Sequence, residues 1–176
     1  DSDVFVLAGA EDLVPARRAG SLDRDVTERG GYRIQRYRPR TEGAFARIER
    51  WTQLSTGDTH WHVLSRENIL QIYGRSQVAR IADPEHPDRV FSWLLEELRD
   101  DRGNVVRYVY KAEDSAGLSG TQVSEAHRFA AMPDGSRRLR STAQRYIKRI
   151  QYGNRSPILD RSQPVSSLES DYLFEV

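Results

Sequence analysis

The sequence predicts an all-β, mainly antiparallel domain, and three observations carry that prediction. Apolar residues recur with a period of two in short runs such as Tyr32-Arg33-Ile34-Gln35-Arg36-Tyr37, the pattern of a strand with one face in water. Turn chemistry separates the runs, as in Ser55-Thr56-Gly57-Asp58 and Asp100-Asp101-Arg102-Gly103-Asn104, whose Gly, Asp and Asn residues tolerate the positive φ of tight turns. The alternation of strand and helix that builds a parallel sheet is missing. An antiparallel sheet, or a sandwich-like fragment with long loops, follows.

In chain order, Asp3-Val4-Phe5-Val6-Leu7 reads as a first strand. Gly9 to Arg29 is polar, interrupted by Pro15 and Gly20, and reads as a long loop. Tyr32–Tyr37 follows, then Phe45–Trp51 and His60–Leu64 as a hairpin about Ser55–Asp58, then Asn68–Gly74. Asp83-Pro84-Glu85-His86-Pro87-Asp88 is irregular, because each proline removes a donor and restricts its predecessor. Val90–Arg99 and Val105–Lys111 form a hairpin around Asp100–Asn104; Leu94–Leu98 has a helical alternative, but the flanking Trp and Val residues favour a strand. Val123–Ala131 reads as one short helix capped by Ser124, and Pro133–Ser136 as an exposed loop. Arg145–Tyr152 is a strand ended by Gly153-Asn154, Ser156–Ser170 a loop, and Asp171–Val176 the last strand. The expected core is Phe5, Ile34, Ile48, Trp51, Trp61, Ile72, Phe91, Trp93, Val106, Tyr108, Ile147 and Ile150.

The totals bound the function. With 176 residues the chain accommodates one domain, 1–176. No run approaches the roughly 20 apolar residues of a spanning helix. Lys plus Arg number 27 against 26 Asp plus Glu, so the positive excess expected of a nucleic-acid binder is missing. Without cysteine, a zinc–thiolate site, a disulfide framework and a cysteine nucleophile are excluded. Asp1-Ser2-Asp3 lacks the basic and apolar regions of a signal peptide. A strand at each end, otherwise an exposed edge, leads us to expect a segment of something longer.

An ordered series of motifs then carries a family resemblance. Ala8-Gly9-Ala10-Glu11-Asp12-Leu13-Val14-Pro15 is followed by Tyr37-Arg38-Pro39-Arg40-Thr41-Glu42-Gly43, Tyr73-Gly74-Arg75 and Arg80-Ile81-Ala82-Asp83-Pro84. Asp101-Arg102-Gly103-Asn104, Tyr110-Lys111-Ala112-Glu113-Asp114 and Tyr146–Arg155 complete it. In this order they resemble the SpvB-type N-terminal domain of the B component of bacterial insecticidal toxin complexes. The resemblance spans nearly the whole chain and weakens over Gly117–Arg140. It implies a non-catalytic wall segment of a β-rich, Rhs-related shell that encloses and delivers a toxic cargo. The implied partners are the remainder of the same polypeptide, the C component and, more remotely, the pore-forming A component, with neither nucleic acid nor direct membrane insertion. Made in the bacterial cytoplasm, it would act as part of a secreted complex. Two partial copies, Asp101-x-Gly103-Asn104 and Tyr152-Gly153-Asn154, are too few to establish an Rhs-type repeat.

Several constellations resemble sites, and none is assigned a catalytic, cofactor or metal role. The protein for which the domain is named is an ADP-ribosyltransferase, a chemistry needing a strand Arg, a Ser-Thr-Ser strand and a Glu-x-Glu pair. Here Glu96 and Glu97 are adjacent, so on a strand they point to opposite faces, and Ser55-Thr56 and Ser141-Thr142 each lack the third residue. His60-x-His62 places two imidazoles on one strand face, with no obvious third ligand although Glu49 or Asp58 could be near; surface histidines flanking a buried Trp61 is the plainer account. Asp100-Asp101-x-Gly103-Asn104 lacks a calcium ladder and reads as a turn. Arg137, Arg138, Arg140, Arg145, Lys148 and Arg149, with Tyr146 and Tyr152, form a basic stretch read as a solvated face or a contact to an acidic neighbour. Trp51, Trp61 and Trp93 could line a sugar groove in a carbohydrate- or protein-binding module, the alternative to the shell reading; packing is the ordinary fate of such aromatics.

Overall fold

The computed structural model describes residues 4–7, 12–41, 43, 45–114, 123–139, 142–160, 163, 165 and 171–176. In these residues the fold is all-β. The first strands are β1 (Phe5–Val6), β2 (Asp12–Pro15), β3 (Val26–Arg29), β4 (Tyr32–Pro39), β5 (Arg47–Gln53), β6 (Thr59–Leu64) and β7 (Leu70–Tyr73). They are followed by β8 (Arg80–Ala82), β9 (Val90–Trp93), β10 (Leu95–Arg99) and β11 (Val105–Ala112). Beyond these lie β12 (Phe129–Ala131), β13 (Arg137–Leu139), β14 (Arg145–Asn154) and β15 (Tyr172–Glu175). Eleven of the strands join one antiparallel sheet in the order β1-β2-β4-β5-β6-β7-β10-β11-β14-β15, with β3 also on β4. β8-β9 and β12-β13 are separate two-stranded ribbons.

β2 and β3 share one edge of β4. Leu13 pairs with Pro39 and Pro15 with Tyr37, while Val26 pairs with Gln35 and Arg29 with Tyr32. The stretch expected to be a loop is therefore two strands with a short excursion between them. An eight-residue strand offers more edge than either could cover alone, and burial of Leu13 holds β2 in place. Pro15 is tolerated because it ends its strand, and the next amide, Ala16 N–H, donates to the Arg36 carbonyl.

β4 also departs from the expectation of one wet face. Ile34 pairs with Trp51, Tyr37 pairs with Ile48, and the unbroken register between them puts Ile34 and Tyr37 on opposite faces. Both are buried. One face of the sheet, the aromatic face, carries Leu13, Tyr37, Ile48, Trp61 and Val63, packed by Phe5, Tyr73 and Trp93. On the other, the histidine face, a continuous row runs Arg36-Glu49-His62-Ile72-Glu97-Arg107-Gln151-Glu175 across eight strands. Ile158, Gln163 and Val165 lie over this face, where Ile158 and Val165 pack on Val105 and Tyr172 and the Gln163 carbonyl accepts from Arg99.

Other expectations are corrected. Val90–Arg99 is not one strand. The chain breaks at Leu94, whose N–H donates to the Ala79 carbonyl and whose carbonyl accepts from Gly74, so β9 pairs β8 and β10 enters the main sheet. Val123–Ala131 is not a helix. It is a 3-10 turn over Val123–Arg128 followed by β12, and Ser124 lies inside the turn instead of capping it. Met132–Ser136 turns β12 into β13. Phe91, on the outer side of a ribbon without a covering layer, is 88% exposed, and Ile147 is 56% exposed, so neither belongs to the core. Their places are taken by Leu13, Val63, Leu70, Val105, Ile158 and Val165, all buried. Asp3, Ala8–Glu11, Gly117–Gln122, Arg140 and Ser141 lie outside the described residues.

Candidate functional site on the histidine face

β5 and β6 place Trp51 opposite His60 and Glu49 opposite His62. Direct cross-strand partners share a face, so the four side chains form a compact set. Trp51 stacks on His62 with ring centroids 4.4 Å apart and lies edge-on to Tyr32 at 5.5 Å. Its Nε1–H donates to Glu49 Oε2 at 3.2 Å. The other Glu49 oxygen, Oε1, pairs with Arg47 Nε at 3.0 Å.

His60 is buried and His62 half-buried. His60 is 4% exposed, because Tyr32 and Trp51 pack against it. Burial, reinforced by the Arg75 and Arg80 charges, lowers its pKa to about 4. Burial, then His60 and the Arg75, Arg99 and Arg47 guanidiniums, lowers His62 to about 2. Both rings are neutral near pH 7. Among the described residues no group of three His, Cys, Asp or Glu side chains is placed to hold a metal ion. Glu49 stands across from His62, but both its oxygens are engaged. Asp58 is turned away to accept from Arg80 and Gln77.

Beside this set a groove of about 550 Å³ opens on the histidine face, lined by Tyr32, Trp51, His62, Leu64 and Leu70 and rimmed by Arg29, Arg47 and Arg75. The Arg29 guanidinium lies over the Trp51 ring, 5.6 Å from its centroid. His62 and Arg29 thus both pack against the Trp51 ring. Trp61 is buried in the aromatic cluster, and Trp93 donates from Nε1 to the Thr59 carbonyl. Phe5, Phe91 and Trp93 border two further clefts, of about 650 and 400 Å³, on the aromatic face.

The remaining sequence candidates are dispersed. Glu96 accepts the Ser76 backbone N–H at 2.8 Å, while Glu97 is buried against Arg99 at 2.6 Å, so the adjacent carboxylates serve different contacts. Asp100 accepts from the Arg102 and Asn104 amides and from Asn104 Nδ2, an aspartate-capped turn. In the basic stretch Arg149 pairs with Glu175, Arg145 bonds the Ala143 and Gln144 carbonyls, and Tyr152 stacks on Phe174 at 5.1 Å. Sequence reasoning missed Arg29, Arg47 and Arg75 as a group. They come from separate segments, and only Arg75 fell within a motif.

Comparisons with known proteins fit this geometry. Residues 1–176 match the family described as Salmonella virulence plasmid 65kDa B protein. A curated relative from Salmonella typhimurium (strain 14028s / SGSC 2262), the mono(ADP-ribosyl)transferase SpvB, is 33% identical over 170 residues, covering 91% of this chain but only 26% of its own length. The chain therefore spans about a quarter of that relative. The solved N-terminal domain of effector protein SpvB from Salmonella typhimurium strain LT2 superposes with a TM-score of 0.74 at 31% identity, over 91% of this chain and 49% of that one. A TcdB2-TccC3-Cdc42 crystal structure superposes with a TM-score of 0.75 at 29% identity over 99% of this chain and 8% of that one. The Tc holotoxin pore of Photorhabdus luminescens gives 0.75 at 28% identity over the same shares. With the whole chain matched, the protein belongs to the SpvB family.

Proposed function

We propose that the chain is a structural, non-catalytic segment of a toxin-complex B component, helping to build a β-rich shell that encloses and delivers a toxic cargo. The observation that carries this reading is a set of exposed apolar side chains on otherwise ordered strands. Phe91 is 88% exposed, Val6 64% and Leu173 55%, and the stacked Tyr152–Phe174 pair is also open to water. Aromatic and aliphatic groups held on rigid strands favour contact with further protein. The Tc neighbours, in which a matching region is a small part of a large chain, support the same reading. On it, the contacts are with the remainder of the same polypeptide, then the C component, and more remotely the A component, in a secreted assembly. The commitment of Glu96 to a backbone amide and of Glu97 to Arg99 supports a non-catalytic role, because neither carboxylate is left to grip a ribose.

Co-expression with the C component tests the proposal. Phe91→Asp and Phe174→Asp should leave the chain folded by circular dichroism yet abolish recovery of the closed complex by size-exclusion chromatography. Turnover of labelled NAD by the chain, lost in Glu96→Gln, would overturn the non-catalytic reading.

A further inference from the structure

The groove beside Trp51 has an excess of hydrogen-bond donors. Three guanidiniums rim it, each with five N–H donors. Glu49 is the carboxylate lining it, and both of its oxygens are already engaged by Arg47 and Trp51. Arg75 is ion-paired with Glu97 at 3.6 Å, a separation too long for a hydrogen bond, so its N–H donors stay available, and its side chain keeps 33% exposure. Arg29 contributes its flat face to Trp51, a contact that uses no N–H. On the same strand face, Arg36 and Arg38 add positive charge at the β4 side, Arg36 shared with Asp25.

We infer that this groove docks an acidic, extended segment of a second polypeptide, whose Glu or Asp carboxylates meet the guanidiniums of Arg29, Arg47 and Arg75. The charge balance selects an anion, and planar guanidinium forks match carboxylates. Leu64 and Leu70 in the lining suit the methylene stem of a glutamate. A nucleobase or sugar ring is disfavoured because His62 and Arg29 already stack on Trp51. The volume of about 550 Å³ admits a few residues. The inference is independent of the shell proposal, since it concerns the chemistry of what the groove accepts.

Nuclear magnetic resonance titration of the full chain tests it, with the acetylated, amidated pentapeptide Glu-Leu-Glu-Leu-Glu as probe. The expected result is perturbation of the Trp51 indole N–H and the His62 ring, with affinity reduced about 10-fold in Arg29→Gln/Arg47→Gln, on the order of 1.4 kcal/mol. Arg29→Gln alone, at an exposed side chain, should fold normally and give a smaller loss. Three outcomes overturn the inference: no change at Trp51 and His62, equal binding of the Gln-Leu-Gln-Leu-Gln analogue, or stronger binding of sialyllactose at the same resonances.

Discussion

Arg99 Nη2 donates to Glu97 Oε2 at 2.6 Å, and its Nε donates to the same oxygen at 2.9 Å, in a place where Arg99 is 1% exposed. The pair occupies positions i and i+2 of β10, so both side chains leave the same face, with Arg99 between Leu70 and Val105 and Glu97 between Ile72 and Arg107. Arg99 Nη1 reaches on to the Gln163 carbonyl and ties Gln163 to the sheet. The ion pair thus fixes the guanidinium that anchors Gln163 over the histidine face.

Replacing Arg99 by Met should destabilise the fold by about 3–5 kcal/mol, because Glu97 is left buried without its short bonds to Arg99 and keeps the longer Arg75 contact. Urea denaturation measures it. The double variant Glu97→Leu/Arg99→Met should regain much of the loss, since an apolar pair leaves no uncompensated charge.

Stability should fall in mild acid because of His60 and His62. Their folded pKa values, about 4 and about 2, lie below the unfolded value, so the unfolded chain binds these protons first. The stability they confer is complete above the ordinary histidine pKa and is lost as pH falls from there toward the folded values. Between pH 7 and 5 the pair accounts for something on the order of 4 kcal/mol. Thermal melts of His60→Gln/His62→Gln should show a distinctly flatter dependence across that window; a slope equal to the parent's would contradict the assignment.

Gly74→Ala should be severe. Gly74 has φ +61°, and a Cβ there would meet Trp93 Cδ1 at 2.4 Å and Trp93 Cβ at 2.9 Å. The left-handed backbone alone costs an alanine about 1 kcal/mol, and the clash raises the total to roughly 3 kcal/mol or more. A loss of Trp93 near-ultraviolet dichroism should accompany it.

Phe174→Ser should behave oppositely to a core change. Phe174 is 53% exposed and stacks on Tyr152, so its removal should cost the isolated chain only about 1 kcal/mol. Ile72→Ala, at a fully buried position, should cost about 2–5 kcal/mol in the same denaturation experiment.

By itself the sequence determined the fold class, the family and most of the strands. These rest on local rules: period-two alternation, turn residues at Gly57 and Gly103, and ordered motifs that need no three-dimensional knowledge. Tertiary structure decided what alternation cannot express. Val26–Arg29 is a four-residue run within a polar stretch, too short to stand out in sequence; it is a strand because β4 has an edge to fill. Ile34 and Tyr37 look alike in sequence, yet they support opposite layers. Phe91 is exposed and Ile158 buried, because layer coverage is set by distant segments. The arginine-rimmed groove was illegible for the same reason: Arg29, Arg47 and Arg75 meet only when strands far apart in the chain are laid side by side.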